Sequence, residues 1–316
     1  MINRKIAVLL ILLCLCIYLM PYPVVAVSTS DAVEPITSEK ECFLTISYCY
    51  GPLAFSGVEV KLYRIAEVSE DFEYTLTQPF AASGLILDGI QTSGEWNVIR
   101  DTLETHIIAY NIAPEFTAQT NDDGQVSFET LKTGMYLAVV SREESEGLQY
   151  QFDSALIALP GLEPDGRWQY RISVKAKGEV LPPVDPDEEV EYKVLKLWKD
   201  DENRNDRPES IEVEIFCDGI SYETVILSEN NHWSYTWSAK DDGASWTVIE
   251  RNVPQGYTMT VEERQSTFVL TNTWPGTPEK PPQTGDMANI LLYALIMVGS
   301  GSILIILGVT GKRSRV

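Results

Sequence analysis

Apolar and polar residues alternate in short runs over most of this chain, and Gly, Pro, Asn or Asp bounds nearly every run. A period of two predicts strands with one buried face, and many short strands separated by frequent turns predict all-β sandwiches. One stretch departs from this. Between Glu95 and Tyr110 the apolar residues Trp96, Ile99, Leu103 and Ile107 recur at helical spacing, with Ser93 as the candidate cap, so one helix is expected within the first half. The alternation stops at Val180 to Glu191, where prolines and acids resist both helix and central strand. It stops again at Pro275 to Pro282. The chain thus divides into a first β-region at 42–178, a linker at 179–191, a second β-region at 192–274 and a Pro-rich stalk at 275–285.

The two ends carry different patterns. Arg4 and Lys5 precede an apolar run from Ile6 to Met20, and Val24-Val25-Ala26 supplies small residues for a signal peptidase, so residues 1–26 are expected to be removed between Ala26 and Val27. Residues 27–41 then form an amino-terminal segment. At the other end, Ile290 to Val309 is uncharged and, as a helix rising about 1.5 Å per residue, is long enough to cross a bilayer core. Lys312, Arg313 and Arg315 follow it and should stay on the cytoplasmic side.

Just before that span stand Pro281, Pro282, Gln283, Thr284 and Gly285. This pentapeptide, with the apolar span and basic tail, resembles the cell-wall sorting signal of Gram-positive surface proteins, usually Leu-Pro-x-Thr-Gly, with Pro281 in place of Leu. The resemblance implies cleavage between Thr284 and Gly285 by a sortase. The Thr284 carbonyl would pass through a thioester to an amine, on lipid II of the peptidoglycan or on another subunit, and residues 286–316 would be discarded. The membrane is then a partner of the precursor alone.

The formal charge is −22. Loss of Arg4, Lys5, Lys312, Arg313, Arg315 and Asp286 with the two ends brings the mature part to −26. Such acidity disfavours nucleic acid and anionic lipid as partners. Cys14 and Cys16 go with the leader, leaving Cys42, Cys49 and Cys217, an odd count that argues against a disulfide framework. Cys42 and Cys49 also fall on opposite faces of what reads as one strand.

Strand parity in the second half singles out three polar residues. Lys196 shares a face with Tyr192, Val194 and Trp198; Glu250 with Trp246 and Val248; Asn272 with Phe268, Leu270 and Trp274. Burying an amine, a carboxyl and an amide separately is costly, so the three should meet. Desolvation favours a neutral amine and a protonated acid. A neutral Lys196 is a nucleophile toward the Asn272 side-chain carbonyl, with Glu250 polarising that carbonyl and moving protons. The product is an intramolecular isopeptide bond formed once, with release of ammonia.

Val194-Leu195-Lys196-Leu197-Trp198, Arg207-Pro208-Glu209-Ser210, the segment from Trp246 through Glu250 and Pro254 to Gly256-Tyr257, and Leu270-Thr271-Asn272-Thr273-Trp274 together resemble a Cna B-type domain. The resemblance implies an immunoglobulin-like sandwich in which Lys196 and Asn272 are joined and Glu250 promotes the reaction.

The first half resembles the amino-terminal domain of sortase-assembled pilins in Gly57 to Arg64, Asn121 to Phe128 and Gly134 to Val140. Its last strand, Trp168 to Lys177, is similar to the pilin motif Trp-x-x-x-Val-x-Val-Tyr-Pro-Lys, with Ile172, Lys175 and Ala176 replacing Val, Tyr and Pro. Lys177 takes the position of the lysine that attacks the thioester of the next subunit. Parity turns Trp168, Ile172, Val174 and Ala176 inward and Lys177 outward. The first half is not expected to form its own isopeptide bond. Leu44, Ile46 and Tyr48 point inward without a lysine, Lys61 lies opposite Val58, Val60 and Leu62, and Ser141 stands where a Glu would be needed.

Other constellations are weaker. Asp201, Asn203, Asn205 and Glu212 have the spacing of a calcium loop, but Asp206 occupies the position that needs Gly. His106 and His232 have no clustered Cys partner. No metal, no cofactor and no enzyme acting on an outside substrate are expected. The expected protein is a secreted, wall-anchored pilin subunit of two tandem β-sandwich domains. Its partners would be sortase, other pilin subunits and peptidoglycan. The alternative is a monomeric wall-anchored adhesin whose second domain is a stalk presenting the first to a host ligand.

Overall fold

The computed structural model describes residues 35–37, 39–145, 147–184, 187–200 and 207–274. The leader with Ala26 and Val27, the motif Pro281 to Gly285, the apolar span 290–309, and Asp201, Asn203 and Asn205 lie outside the described residues. Among the described residues no helix is long and apolar enough to cross a membrane.

The protein is mostly β-sheet, as its alternation predicts. In the first half, strand Cys42–Ser47 sits between Gln125–Leu131, antiparallel, and Arg171–Lys175, parallel. Leu44 and Ile46 face inward and are fully buried, beside Ile172 and Val174 in the parallel register. The opposing sheet runs Ala155–Leu159, Gly134–Val140, Glu59–Val68, Tyr74–Leu76, with Phe116–Gln119 also paired to Glu59–Val68. This sheet is covered on both faces. Val60, Leu62 and Tyr136 enter the sandwich core, while Tyr63, Ile65 and Leu137 pack under Phe80, Ile99, Leu103 and Ile107 of two helices, Gln78–Ala81 and Ser93–Tyr110.

The long helix is capped by Thr92, one residue before the expected Ser93. The Thr92 hydroxyl accepts the Glu95 N–H at 3.2 Å and Glu95 accepts the Thr92 N–H at 2.7 Å, a reciprocal pair that satisfies two otherwise free donors. Asn111, in the left-handed region at φ 49°, ends the helix.

Two expected strands are broken. Cys42 and Cys49 do not share one strand, because pairing stops at Ser47 and Cys49–Tyr50 forms its own hairpin with Leu53–Ala54. Cys42, Cys49 and Cys217 are free thiols. Trp168 to Lys177 changes partner once, Trp168–Gln169 pairing Gly161–Leu162 and Arg171–Lys175 pairing the first strand, and just beyond it Gly178–Val180 pairs Leu148–Phe152. The inward and outward alternation survives these changes, with Tyr170 and Ala176 buried and Lys175 and Lys177 exposed. Strands also reach into both ends of the Pro-rich linker, at Gly178–Val180 and Glu189–Lys199.

In the second half, a four-stranded sheet in the order Ser234–Lys240, Glu189–Lys199, Thr267–Thr273, Thr258–Arg264 faces a three-stranded sheet in the order Ile220–Ser228, Ser210–Cys217, Trp246–Glu250. The first strand and the closing strand are parallel neighbours, with Lys196 opposite Leu270 and Trp198 opposite Asn272. Trp246–Glu250 is buried along its whole length. Val248 and Glu250 point into the sandwich, whereas Thr247 lies under the long helix of the first half and exchanges a 2.7 Å hydrogen bond with Thr105. Ile108 and Ala109 of that helix join the same core.

Candidate functional site

The parallel register sets Lys196 and Asn272 on one face, two positions apart along neighbouring strands, which is within reach of a long side chain. Glu250 arrives from the opposing sheet, where it is held opposite Val213. Lys196 Nζ donates to Glu250 Oε2 at 2.7 Å, and Asn272 Nδ2 donates to Glu250 Oε1 at 3.0 Å. The Lys196 and Glu250 side chains have no solvent exposure, and Asn272 is also fully buried. The structure therefore brings all three parity-selected residues together around one carboxyl group.

The surroundings are apolar. Val194, Val213, Val248, Phe268 and Leu270 are buried in the same core, and Lys196 Nζ lies 4.8 Å from the centre of the Trp198 ring. Burial pushes the Lys196 amine down to about 8, against the opposing pull of Glu250. Asn272 Oδ1 is buried with no hydrogen-bond partner. The amide carbonyl is thus left without a donor beside an amine whose basicity burial has lowered.

A second buried carboxylate closes one end of the site. Asp200 is fully buried and accepts hydrogen bonds from Arg207 Nε at 2.7 Å and Tyr257 Oη at 2.6 Å. The Arg207 guanidinium lies 5.5 Å from the Trp198 ring centre, and Tyr257 packs edge-on against Trp198 and Trp274. Sequence reasoning did not include Asp200. Its signal was available: continuing the inward series Val194, Lys196, Trp198 by two residues lands on it.

Lys177 stands apart from this site. Its side chain is 83% exposed and its Nζ is 3.3 Å from Asp153 Oδ2. Its carbonyl accepts the Asp153 N–H at 2.8 Å, and the preceding Ala176 N–H donates to Ser47 O at 2.9 Å. The backbone is thus fixed on both sides while the amine remains accessible.

Among the described residues no group of three or more His, Cys, Asp or Glu side chains gathers to hold a metal. Glu212 is exposed on its strand. His106 is buried against Tyr110, with ring centres 4.4 Å apart, and burial pushes its imidazole down. His232 occupies a turn at φ 54°.

Residues 192–273 match the Cna protein B-type domain family. The chain is 36% identical over 96 residues to the collagen adhesin of Staphylococcus aureus, a stretch covering 28% of this chain and 8% of that protein. The chain therefore spans less than a tenth of the length of this curated relative. Solved structures that the chain matches include the shaft pilin SpaA of Lactobacillus rhamnosus GG, at 14% identity and TM-score 0.27 over 75% of this chain and all of that one. The major pilin SpaD of Corynebacterium diphtheriae, at 11% identity and TM-score 0.28, matches over 77% of this chain and 99% of that one. A single B repeat unit of the collagen-binding surface protein of Staphylococcus aureus, at 18% identity and TM-score 0.26, matches over 76% and 99%.

Proposed function

We propose that this protein is a structural cell-surface pilin subunit, secreted, polymerised and anchored to peptidoglycan by a sortase, and stiffened by a Lys196–Asn272 isopeptide bond. The observation that carries the reading is the buried Lys196–Glu250–Asn272 constellation within a segment that matches the Cna protein B-type domain. A charged amine at such a position is expensive to desolvate, and its conversion to a neutral amide removes that cost.

The reaction balances without a cofactor. Lys196 passes a proton to Glu250 and the neutral Nζ attacks Asn272 Cγ. The Nζ–Cγ bond forms, the Cγ–Nδ2 bond breaks, and Glu250 relays a proton to the departing nitrogen, which leaves as ammonia. The protein acts once, on itself, and not as an enzyme on an outside substrate.

For polymerisation, the exposed Lys177 amine is the acceptor and Thr284 the donor, cut from Gly285 by sortase at the motif Pro281-Pro282-Gln283-Thr284-Gly285. At the end of the fibre, the lipid II amine of peptidoglycan takes the place of Lys177. Residues 1–26, cut between Ala26 and Val27, direct export, and the membrane span holds the precursor until transfer.

A second reading is favoured by the 96-residue likeness to the collagen adhesin: a monomeric wall-anchored adhesin, with the second domain as a stalk presenting the first to a host ligand. Immunoblots of cell-wall extracts separate the two. A pilin subunit gives a ladder resistant to SDS, and a single band would overturn the polymer reading in favour of the adhesin.

A further inference from the structure

Lys177 and Asp153 face each other across a strand pair. Gly178–Val180 runs antiparallel to Leu148–Phe152 with Phe152 opposite Gly178, and one step beyond this register the Asp153 N–H donates to the Lys177 carbonyl at 2.8 Å. Directly opposed residues put their side chains on the same side of a pair. The Asp153 carboxylate accordingly meets the amine, with Oδ2 3.3 Å from Lys177 Nζ.

The backbone beneath this pair is fixed from both strands. Phe152 is buried, and its ring packs edge-on against Tyr48 and Phe55. A Cβ on Gly178 would come within 2.6 Å of that ring, so the residue after Lys177 leaves room for the residue before Asp153. On the other side of Lys177, Ala176 is buried and tied to Ser47. Other charges nearby are engaged elsewhere. Arg100, whose charge Asp153 also feels, lies 2.9 Å from Asp101 and 3.7 Å from Glu104, and Arg142 is bonded to Gln151 and to the Gly243 carbonyl. Lys175, two positions before Lys177 and also exposed, has no ion pair among the described residues.

An exposed ion pair of this kind adds little to folding, because solvent screens it. Its consequence is for the amine. A lysine stem is flexible and lets Nζ sweep a wide arc, whereas a carboxylate on a fixed strand holds it in one place. We infer that Asp153 is the catalytic partner of Lys177 in transfer between subunits, aiming Nζ and taking the proton that the new amide must lose. The inference rests on the reading of Lys177 as acceptor. Lys177 first gives one proton to solvent, and the neutral Nζ attacks the Thr284 carbonyl carbon of a neighbouring subunit, held as a thioester. The Nζ–C bond forms, the C–S bond breaks, and the sortase cysteine leaves as a thiolate. The nitrogen then carries one proton too many, which passes to the Asp153 carboxylate and from there to water.

The bond from Asp153 N–H to Lys177 uses the main chain alone, so Asp153 can be replaced without unpairing the strands. Pulse–chase immunoblots of wall extracts from the producing cell read the rate at which monomer enters the ladder. Asp153→Ala is expected to slow this by at least about tenfold, with the protein recovered as wall-linked monomer because its Thr284 donor is intact. Asp153→Glu should restore most of the rate. Asp153→Asn, which accepts a hydrogen bond from Nζ but takes no proton, should fall between Asp153→Ala and the unaltered protein. A ladder that grows at the unaltered rate in Asp153→Ala or Asp153→Asn overturns the inference, as does a defect that Asp153→Glu leaves equally severe. Lys177→Ala is run alongside: a ladder that persists there refutes the acceptor reading and this inference with it, whereas a ladder lost there and undiminished in Asp153→Ala refutes this inference alone.

Discussion

Lys196 Nζ and Glu250 Oε2 lie 2.7 Å apart with neither side chain reached by solvent, and the second oxygen of the same carboxyl holds Asn272. An amine and an amide are thus enclosed within hydrogen-bonding distance of one acid, in a core that offers few other polar partners.

Intact-mass measurement of the folded protein is the most direct check of the cross-link. A deficit of about 17 Da, one ammonia, is expected, and Glu250→Ala should restore the full mass because the proton relay is lost. Joining positions 196 and 272 restricts the unfolded chain by roughly 4 to 5 kcal/mol on the loop-entropy model used for disulfides. Glu250→Ala and Asn272→Ala should therefore both unfold well below the unaltered protein. A full mass in the unaltered protein removes the bond from the account.

The unreacted state has its own signature in pH. In Asn272→Ala the amine remains free, pushed down to about 8 by burial when folded and returning to its ordinary value of 10.5 when unfolded. Between these values the unfolded chain binds more protons, so stability should rise with pH from about 8 toward 10.5. Adding Lys196→Met should flatten this rise. The unaltered protein should lack it as well, since an amide nitrogen does not titrate. A rise of equal size in the unaltered protein, measured by denaturant unfolding, would mean that the amine is still free.

Lys177→Ala in the producing cell is expected to abolish the high-molecular-weight ladder, and Lys177→Arg should do the same because a guanidinium is a poor nucleophile at neutral pH. The 17 Da deficit should persist in both variants, as Lys177 is remote from the buried trio. Ladders that persist would move the acceptor role to another lysine.

Gly256 tests the aromatic end of the site. It sits at φ +89°, and a Cβ there would approach the Trp274 ring to 2.6 Å. Gly256→Ala should cost about 1 to 3 kcal/mol, from the strained backbone together with displacement of Trp274. A melting temperature unchanged within error would show that Trp274 moves aside freely.

Much of this could be read from residue order alone. A period of two places Lys196, Glu250 and Asn272 on inward faces without any knowledge of pairing, because successive side chains must point to opposite sides of a strand. The same rule places Lys177 outward, and continued by one step it would have found Asp200. The helix was legible from Ile99, Leu103 and Ile107, although its cap was displaced by one residue, since Thr92 rather than Ser93 completes the reciprocal bond with Glu95.

Parity says which way a side chain points, and it is silent about what lies opposite. Only the tertiary structure decided that Glu250, from one sheet, meets Lys196 and Asn272 from the other, that strand Trp246–Glu250 is covered on its second face, and that the helix covering it comes from the other half of the chain. The physical reason is range. Alternation is a local consequence of backbone geometry, whereas contacts between positions 102 and 261, or 196 and 250, depend on how whole sheets and helices pack, and no short window of sequence contains both partners.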